Sequence, residues 1–233
     1  MEKRGKICVS LAGADAAAIA SAVQPVLDLV DVVEVRLDAM TNPEVEKCCA
    51  LIRKPLLFTN RPIWEGGQFG GTEEERVAPL LTAIRARAAW VDLELRADGA
   101  LRRSLLSAAV ESGTKVIISW HDFTGTPSRE SLDALLAQMM ESGCHVGKIV
   151  TTAKSEADVL RVLALQEQAM ADGFPLSCFC MGAPGRISRF ATLYLGGYMT
   201  YGALDAAQAT APGQLTVRQL HAMTQLFEDT NAD

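Results

Sequence analysis

Nothing in this chain is apolar for long. No run approaches the ~20 residues that a membrane-spanning helix needs. The segment Met1-Glu2-Lys3-Arg4-Gly5 passes straight into strand-like Lys6-Ile7-Cys8-Val9-Ser10, without the apolar stretch of a signal peptide. A cytoplasmic location with no membrane partner is expected. Basic blocks are missing too. The 22 Lys and Arg face 28 Asp and Glu, a net charge of −6, which argues against a nucleic-acid or anionic-lipid surface but leaves room for a few arginines around a small anion. Six cysteines are too sparse for a disulfide framework, and neither Cys48-Cys49 nor Cys178-x-Cys180 has zinc-ribbon spacing. With three histidines (His121, His145, His221) in the chain, no metal site is expected, and the thiols read as small buried hydrophobes. Leu11-Ala12-Gly13-Ala14-Asp15 lacks the G-x-G-x-x-G fingerprint after the first strand, so no dinucleotide cofactor is expected.

What the chain does have is alternation. Strand-like runs at 6–12, 32–38, 55–61, 90–95, 115–123, 147–153, 175–181 and 198–204 are separated by amphipathic helical patterns. Thr41-x-x-Glu44 and Thr72-x-x-Glu75 have capping-box spacing, and Ser155-x-x-Asp158 is a weaker version. Pro127 suits a first helical turn, Leu132, Leu135, Leu136, Met139 and Met140 would line one face, and Gly143 would end that helix. No Pro/Gly/Ser-rich linker interrupts residues 1–233, and apolar residues make up 49% of them. A single-domain α/β fold, the closed (β/α)8 TIM barrel, fits better than an open doubly wound sheet.

In a barrel, alternate strand residues face inward and chemistry gathers at the C-terminal strand ends. Polar residues do fall on one parity: Glu34, Arg36 and Asp38; Thr59 and Arg61; Asp92, Glu94 and Arg96; Ser119 and His121; Lys148 and Thr152. On a single strand this would describe a solvated face. Repeated over several strands, it predicts a polar interior pocket. Lys148 is the most informative member, because an ammonium in the apolar run Gly147-Lys148-Ile149-Val150 must be paired, neutralised or chemically used. With His121 on the preceding strand, it suggests an amine nucleophile beside a proton shuttle. Glu34 and Arg36 could form a neutralising pair. Glu65 taken alone reads as a loop acid, His145 as a surface residue near the barrel bottom, and His221 as a residue without a catalytic role.

Six segments, in order along nearly the whole chain, resemble the type I 3-dehydroquinate dehydratase family. They are Glu34-Val35-Arg36-Leu37-Asp38; Phe58-Thr59-Asn60-Arg61 with Glu65-Gly66-Gly67; Ser119-Trp120-His121-Asp122-Phe123; Gly147-Lys148-Ile149; Ile187-Ser188-Arg189; and Ala211-Pro212-Gly213-Gln214. The resemblance implies dehydration of 3-dehydroquinate to 3-dehydroshikimate in the shikimate pathway. Lys148 would form the imine, His121 would act as general acid and base, and Glu65 would orient it. Burial and nearby cations are expected to favour the free amine of Lys148. Glu34, Arg36 and Arg61 would meet ring hydroxyls, and Arg189 with Gln214 would hold the carboxylate. Ser10, Phe123, Met181 and Tyr201 fall at wall positions, with Ser10 and Thr210 among the residues touching substrate. The stretch from Asp205 to Gln214 would be a lid. Thr210 stands where many relatives carry serine, and Phe179 where well-known members carry methionine. The resemblance further implies a homodimer acting without a cofactor. With five residues ahead of the first strand, no N-terminal hairpin is expected to plug the barrel bottom.

Two rival readings stay open on the residues. One is another Schiff-base barrel lyase of the class I aldolase type, for which Gly182-Ala183-Pro184-Gly185 is a weak phosphate cradle. The other is an inactive paralogue that binds a cyclic acid.

Overall fold

Strands and α-helices alternate from end to end, and a computed structural model describes residues 4–208, 210–211 and 213–228. The elements are β1 (Lys6–Ala12), α1 (Ala16–Val23), β2 (Val32–Arg36), α2 (Val45–Leu51), β3 (Leu56–Thr59), α3 (Glu73–Arg85), β4 (Trp90–Glu94) and α4 (Gly99–Ser112). They continue with β5 (Lys115–His121), α5 (Arg129–Glu141), β6 (Val146–Thr152), α6 (Glu156–Ala171), β7 (Leu176–Met181), α7 (Arg186–Tyr194), β8 (Met199–Gly202) and α8 (Val217–Glu228). The strands pair in parallel in the order β7-β6-β5-β4-β3-β2-β1-β8. A 2.8 Å hydrogen bond from Tyr198 N–H to the Leu176 carbonyl brings β8 back to β7. The result is the expected (β/α)8 barrel.

The sheet separates two apolar cores. The larger lies between the strands and the helices, where Val9, Val35, Phe58, Val91, Ile118, Ile149 and Cys178 meet residues such as Leu80, Leu105, Leu132, Val162 and Leu165. The smaller fills the barrel, with Cys8, Val32, Leu57, Trp90, Ile117, Val146 and Met199 in it. Each helix seals its strand by burying residues three or four apart. In α6 these are Val159, Val162, Leu165 and Ala169. Full burial of each large aliphatic side chain among them contributes roughly 1.5–3 kcal/mol. The opposite parity of the strands carries the polar set into the barrel interior, where Ser10, Glu34, Thr59, Asp92, Ser119, Lys148 and Ser177 are all buried.

Several expected boundaries move, for local reasons. The strands expected at 32–38 and 55–61 end at Arg36 and Thr59. The Asp38 carboxylate sits in a 3-10 turn and accepts the backbone N–H groups of Arg61 and Gln68, so both loops are tied together beyond the sheet. Asp38 and Arg61 are therefore placed by loops rather than by strand parity, and Arg96 lies past the end of β4. Thr72 and Glu75 form the full capping box, and Ser155 N–H donates to Asp158. Thr41 and Glu44 do not form one: the Glu44 carboxylate instead takes the Ala16 N–H at the start of α1 and pairs with Lys47. Pro127 does not enter the first turn of α5: it precedes the Ser128 cap, and the helix starts at Arg129. That helix buries Leu132, Leu136 and Met139, half-buries Leu135 and leaves Met140 exposed, because adjacent residues lie about 100° apart on a helix. Gly143 adopts φ +75° after it, as expected.

The barrel floor closes on an aromatic pair. Trp90 Nε1–H donates to Tyr198 Oη at 3.1 Å, the rings meet edge to face, and the Lys6 ammonium lies 4.6 Å from the Tyr198 ring centre. No strand precedes β1 among the described residues, and Met1 to Lys3 lie outside them.

Candidate active site

Lys148 points into the barrel. It is 5% exposed, its Nζ is 3.3 Å from Asp92 Oδ2, and it lies 3.9 Å from the centre of the Tyr201 ring. Its direct contacts are a carboxylate and an aromatic face, and the Arg61 guanidinium stands on the other oxygen of the same carboxylate. Register places Ser119 of β5 opposite Lys148 and His121 opposite Val150, so the imidazole stands one inward layer above the amine.

The imidazole is itself oriented. His121 Nδ1 and Glu65 Oε2 are 3.2 Å apart, and Phe123 stacks nearly parallel to the imidazole with ring centres 6.2 Å apart. Burial and then the Arg61 and Lys148 cations hold the His121 pKa well below its ordinary value, so the ring is neutral at neutral pH. Burial raises the Glu65 carboxyl to about 7 against the pull of Arg61. Glu65 arrives here on a turn that needs glycine. Gly66 has φ +77°, and a Cβ on it would lie 2.3 Å from the Phe123 ring.

Arg61 organises the floor of the site. It is 4% exposed, with Nη1 at 2.6 Å from Glu94 Oε1, 2.6 Å from Ser119 Oγ and 3.3 Å from Glu65 Oε2, while Nη2 reaches Asp92 Oδ1 at 2.9 Å. The surrounding carboxylates raise its pKa despite full burial. Glu94 also pairs with buried Arg76, and Glu65 with Arg96 at 3.3 Å. Arg36 does not neutralise Glu34. It forks onto Asp38 through Nε at 2.8 Å and Nη2 at 2.6 Å, while Glu34 accepts the Thr59 hydroxyl at 2.7 Å.

Arg189 is buried, 4.9 Å over the Phe179 ring, and burial lowers its pKa to about 10. Thr210 bridges the mouth. Its hydroxyl lies 3.4 Å from Ser10 Oγ on β1, its N–H donates to Gln214 Oε1 at 2.8 Å, and Gln214 Nε2 donates to the Tyr201 carbonyl at 3.3 Å. Ala209 and Pro212, within the expected lid, lie outside the described residues.

Every residue expected at the site lines one cleft: Ser10, Glu34, Arg36, Arg61, Glu65, His121, Phe123, Lys148, Met181, Arg189, Tyr201, Thr210 and Gln214. Gly66, Val150, Phe179 and Ala211 complete its walls. Sequence reasoning passed over Asp92 as a site residue. The signal was its shared parity with Glu94, but only the register of β3 to β6 reveals that it meets the lysine. His145 lies outside the cleft, exposed, with Nδ1 accepting the Val116 N–H. His221 sits on α8, also outside the cleft. Among the described residues, no cluster of three His, Cys, Asp or Glu is placed to hold a metal ion, and no helix is long and apolar enough to cross a membrane.

The type I 3-dehydroquinase family is matched by residues 7–231. The chain belongs to that family. A 3-dehydroquinate dehydratase of Desulfotalea psychrophila is 46% identical over 190 residues, 82% of this chain and 84% of that protein. Another, from Syntrophobacter fumaroxidans, is 38% identical over 206 residues, covering 84% of this chain and 86% of that one. Among solved structures, a Clostridium difficile type I 3-dehydroquinate dehydratase carrying covalently modified comenic acid superposes with a TM-score of 0.88 and 28% identity, over 97% of this chain and 93% of that one. As in other type I 3-dehydroquinases, a lysine imine is the covalent chemistry to be accounted for, and the cleft places one buried amine beside an oriented imidazole.

Proposed function

We propose that this chain dehydrates 3-dehydroquinate to 3-dehydroshikimate through an imine on Lys148, as a step of the shikimate pathway leading to aromatic amino acids. The observation that carries the assignment is the placement of a buried lysine nitrogen one layer beneath a neutral, carboxylate-oriented imidazole, in a cleft that also holds Arg189. Membership in the type I family supports it.

In this reading the free amine of Lys148 attacks the ring ketone. The ketone oxygen leaves as water after His121 has moved the protons, and a C=N⁺–H bond replaces the C=O. The iminium acidifies the adjacent C–H. As that proton is removed, its electron pair moves onto nitrogen to give an enamine. The enamine pushes the pair back, expelling the β-hydroxyl, which takes up a proton and departs as a second water. Hydrolysis of the conjugated iminium consumes one water, frees Lys148 and releases the enone. Glu65, as a carboxylate, accepts Nδ1–H of His121 and leaves Nε2 bare for the reacting protons.

Arg189 suits the substrate carboxylate, as a desolvated guanidinium offers a fork-shaped, charge-assisted contact. Glu34 and Arg36 face the ring hydroxyls. Arg61, engaged with three acids, contributes positive potential from below. Thr210 and Gln214 close the mouth and exclude water. The scheme needs no cofactor. The free cysteines are in keeping with a cytoplasmic setting, and the homodimer rests on the resemblance to the family.

Borohydride added during turnover traps an imine as a stable secondary amine. Peptide mass mapping is expected to place the adduct on Lys148, with absorbance of the conjugated enone rising when borohydride is omitted. Binding without any enone would instead mark a cyclic-acid-binding paralogue, and an adduct on another lysine would remove Lys148 from the mechanism.

A further inference from the structure

Asp92 is built into the site more firmly than a wall residue requires. Its carboxylate is fully buried on the inward face of β4. Oδ1 is claimed twice, by Arg61 Nη2 at 2.9 Å and by the Ser119 hydroxyl at 2.6 Å. That leaves Oδ2 directed at Lys148 Nζ, 3.3 Å away. We propose that Asp92 is the counter-ion of the reacting nitrogen, pairing the ammonium of the resting enzyme and then the protonated imine. The proposal rests on the lysine imine described above and adds a residue that scheme does not use.

The chemistry asks for such a group. Nitrogen is positive as ammonium, neutral as the attacking amine, positive as the iminium, neutral as the enamine, and positive again once the hydroxyl has left. An unprotonated imine is a poor electron sink, so the site must keep a proton on that nitrogen inside a desolvated barrel. The groups facing it come from several elements. They are Asp92 on β4, Arg61 beyond β3, neutral His121 on β5, the Tyr201 ring on β8 and Cys8 on β1, whose thiol burial keeps protonated. Glu34 stands on β2 and is engaged by Thr59. Of these, Asp92 brings the negative charge into contact with Nζ. Full burial alone would neutralise a carboxyl, yet Arg61, Lys148 and Ser119 keep Asp92 below its ordinary pKa.

The proposal predicts two effects of opposite sign in Asp92→Asn, a pairing that structural damage cannot imitate. Cyanate carbamoylates neutral amines, and its reaction at Lys148 can be followed by peptide mass against pH without any substrate. In Asp92→Asn the pH profile of this labelling moves to lower pH by about one unit or more. Turnover of 3-dehydroquinate in the same preparation falls roughly 10²- to 10³-fold, as for other lost preorganised electrostatic partners. Ser119→Ala, which loosens Asp92 without removing its charge, shows both effects at smaller size, and it carries the test should Asp92→Asn fail to fold. The assignment is overturned if labelling and turnover fall together, or if neither changes. Wild-type enzyme that neither turns over nor traps with borohydride defeats the dehydratase reading instead, while the cyanate arm still reports on the ion pair.

Discussion

Arg61→Met tests whether the floor of the site is a folding element as well as a catalytic one. The substitution keeps an unbranched, apolar stem and removes a guanidinium that pairs with Glu65, Asp92 and Glu94, all of them buried. Stranding an ion inside a protein costs about 3–5 kcal/mol when its partner is deleted. The three losses do not add, because each acid keeps a second contact: Asp92 keeps Lys148, Glu94 keeps Arg76, and Glu65 keeps Arg96 and His121. A net loss of about 3–5 kcal/mol is expected, a large part of the roughly 5–15 kcal/mol total of an ordinary domain. At about 2–4 °C per kcal/mol for a chain of this size, the melting temperature falls by roughly 6–20 °C.

Urea unfolding followed by tryptophan fluorescence gives the free energy, with all three tryptophans in the sequence available as reporters. The measurement should be repeated across pH. Burial already raises Glu65 to about 7, and it raises Glu94 as well. Without Arg61 these folded-state values climb further above those of the unfolded chain. A carboxyl shifted upward binds more protons when folded, so its penalty grows as pH rises and disappears below the unfolded value. The deficit of Arg61→Met should therefore be larger at pH 7.5 than at pH 5. A deficit under about 1 kcal/mol at pH 7.5, or one that does not vary with pH, would refute the reasoning that the buried acids depend on this arginine.

Three further outcomes follow from the same geometry. His121→Ala should slow steady-state enone formation by roughly 10²–10⁴-fold, the usual effect of losing a positioned acid and base; near-normal turnover would take the imidazole out of the mechanism. Arg189→Ala should raise KM for 3-dehydroquinate by roughly 10- to 100-fold with a smaller change in kcat, since a charged hydrogen-bonded pair contributes about 1.5–3 kcal/mol. An unchanged KM would contradict the carboxylate contact. Finally, kcat/KM should rise with pH through an inflection near 7, where Glu65 ionises and fixes Nδ1–H of His121, because His121 itself stays neutral well below its ordinary range. Glu65→Gln should abolish that inflection, and an identical profile in the variant would assign it to another group.

Much of this protein is legible in its sequence. Hydrophobic periodicity alone separates strands from helices, and parity within each strand sorts barrel-interior residues from those under the helices, because successive strand side chains point to opposite faces. That rule places Glu34, Thr59, Ser119, His121 and Lys148 correctly, since each lies within a strand. It fails just past the strand ends. Asp38, Arg61 and Arg96 share the right parity on paper, yet they are positioned by turns whose hydrogen bonds parity does not describe. The partners of charges were equally hidden. Glu34 and Arg36 look like a pair along one strand, but Thr59 from β3 takes the first and Asp38 from a turn takes the second. Asp92 and Lys148 are 56 residues apart in the chain, and the register carried from β4 through β5 to β6 brings them together. Local order in a sequence determines which face a residue takes. Which opposite charge waits there depends on how the strands stagger around the closed barrel, a property of the whole chain.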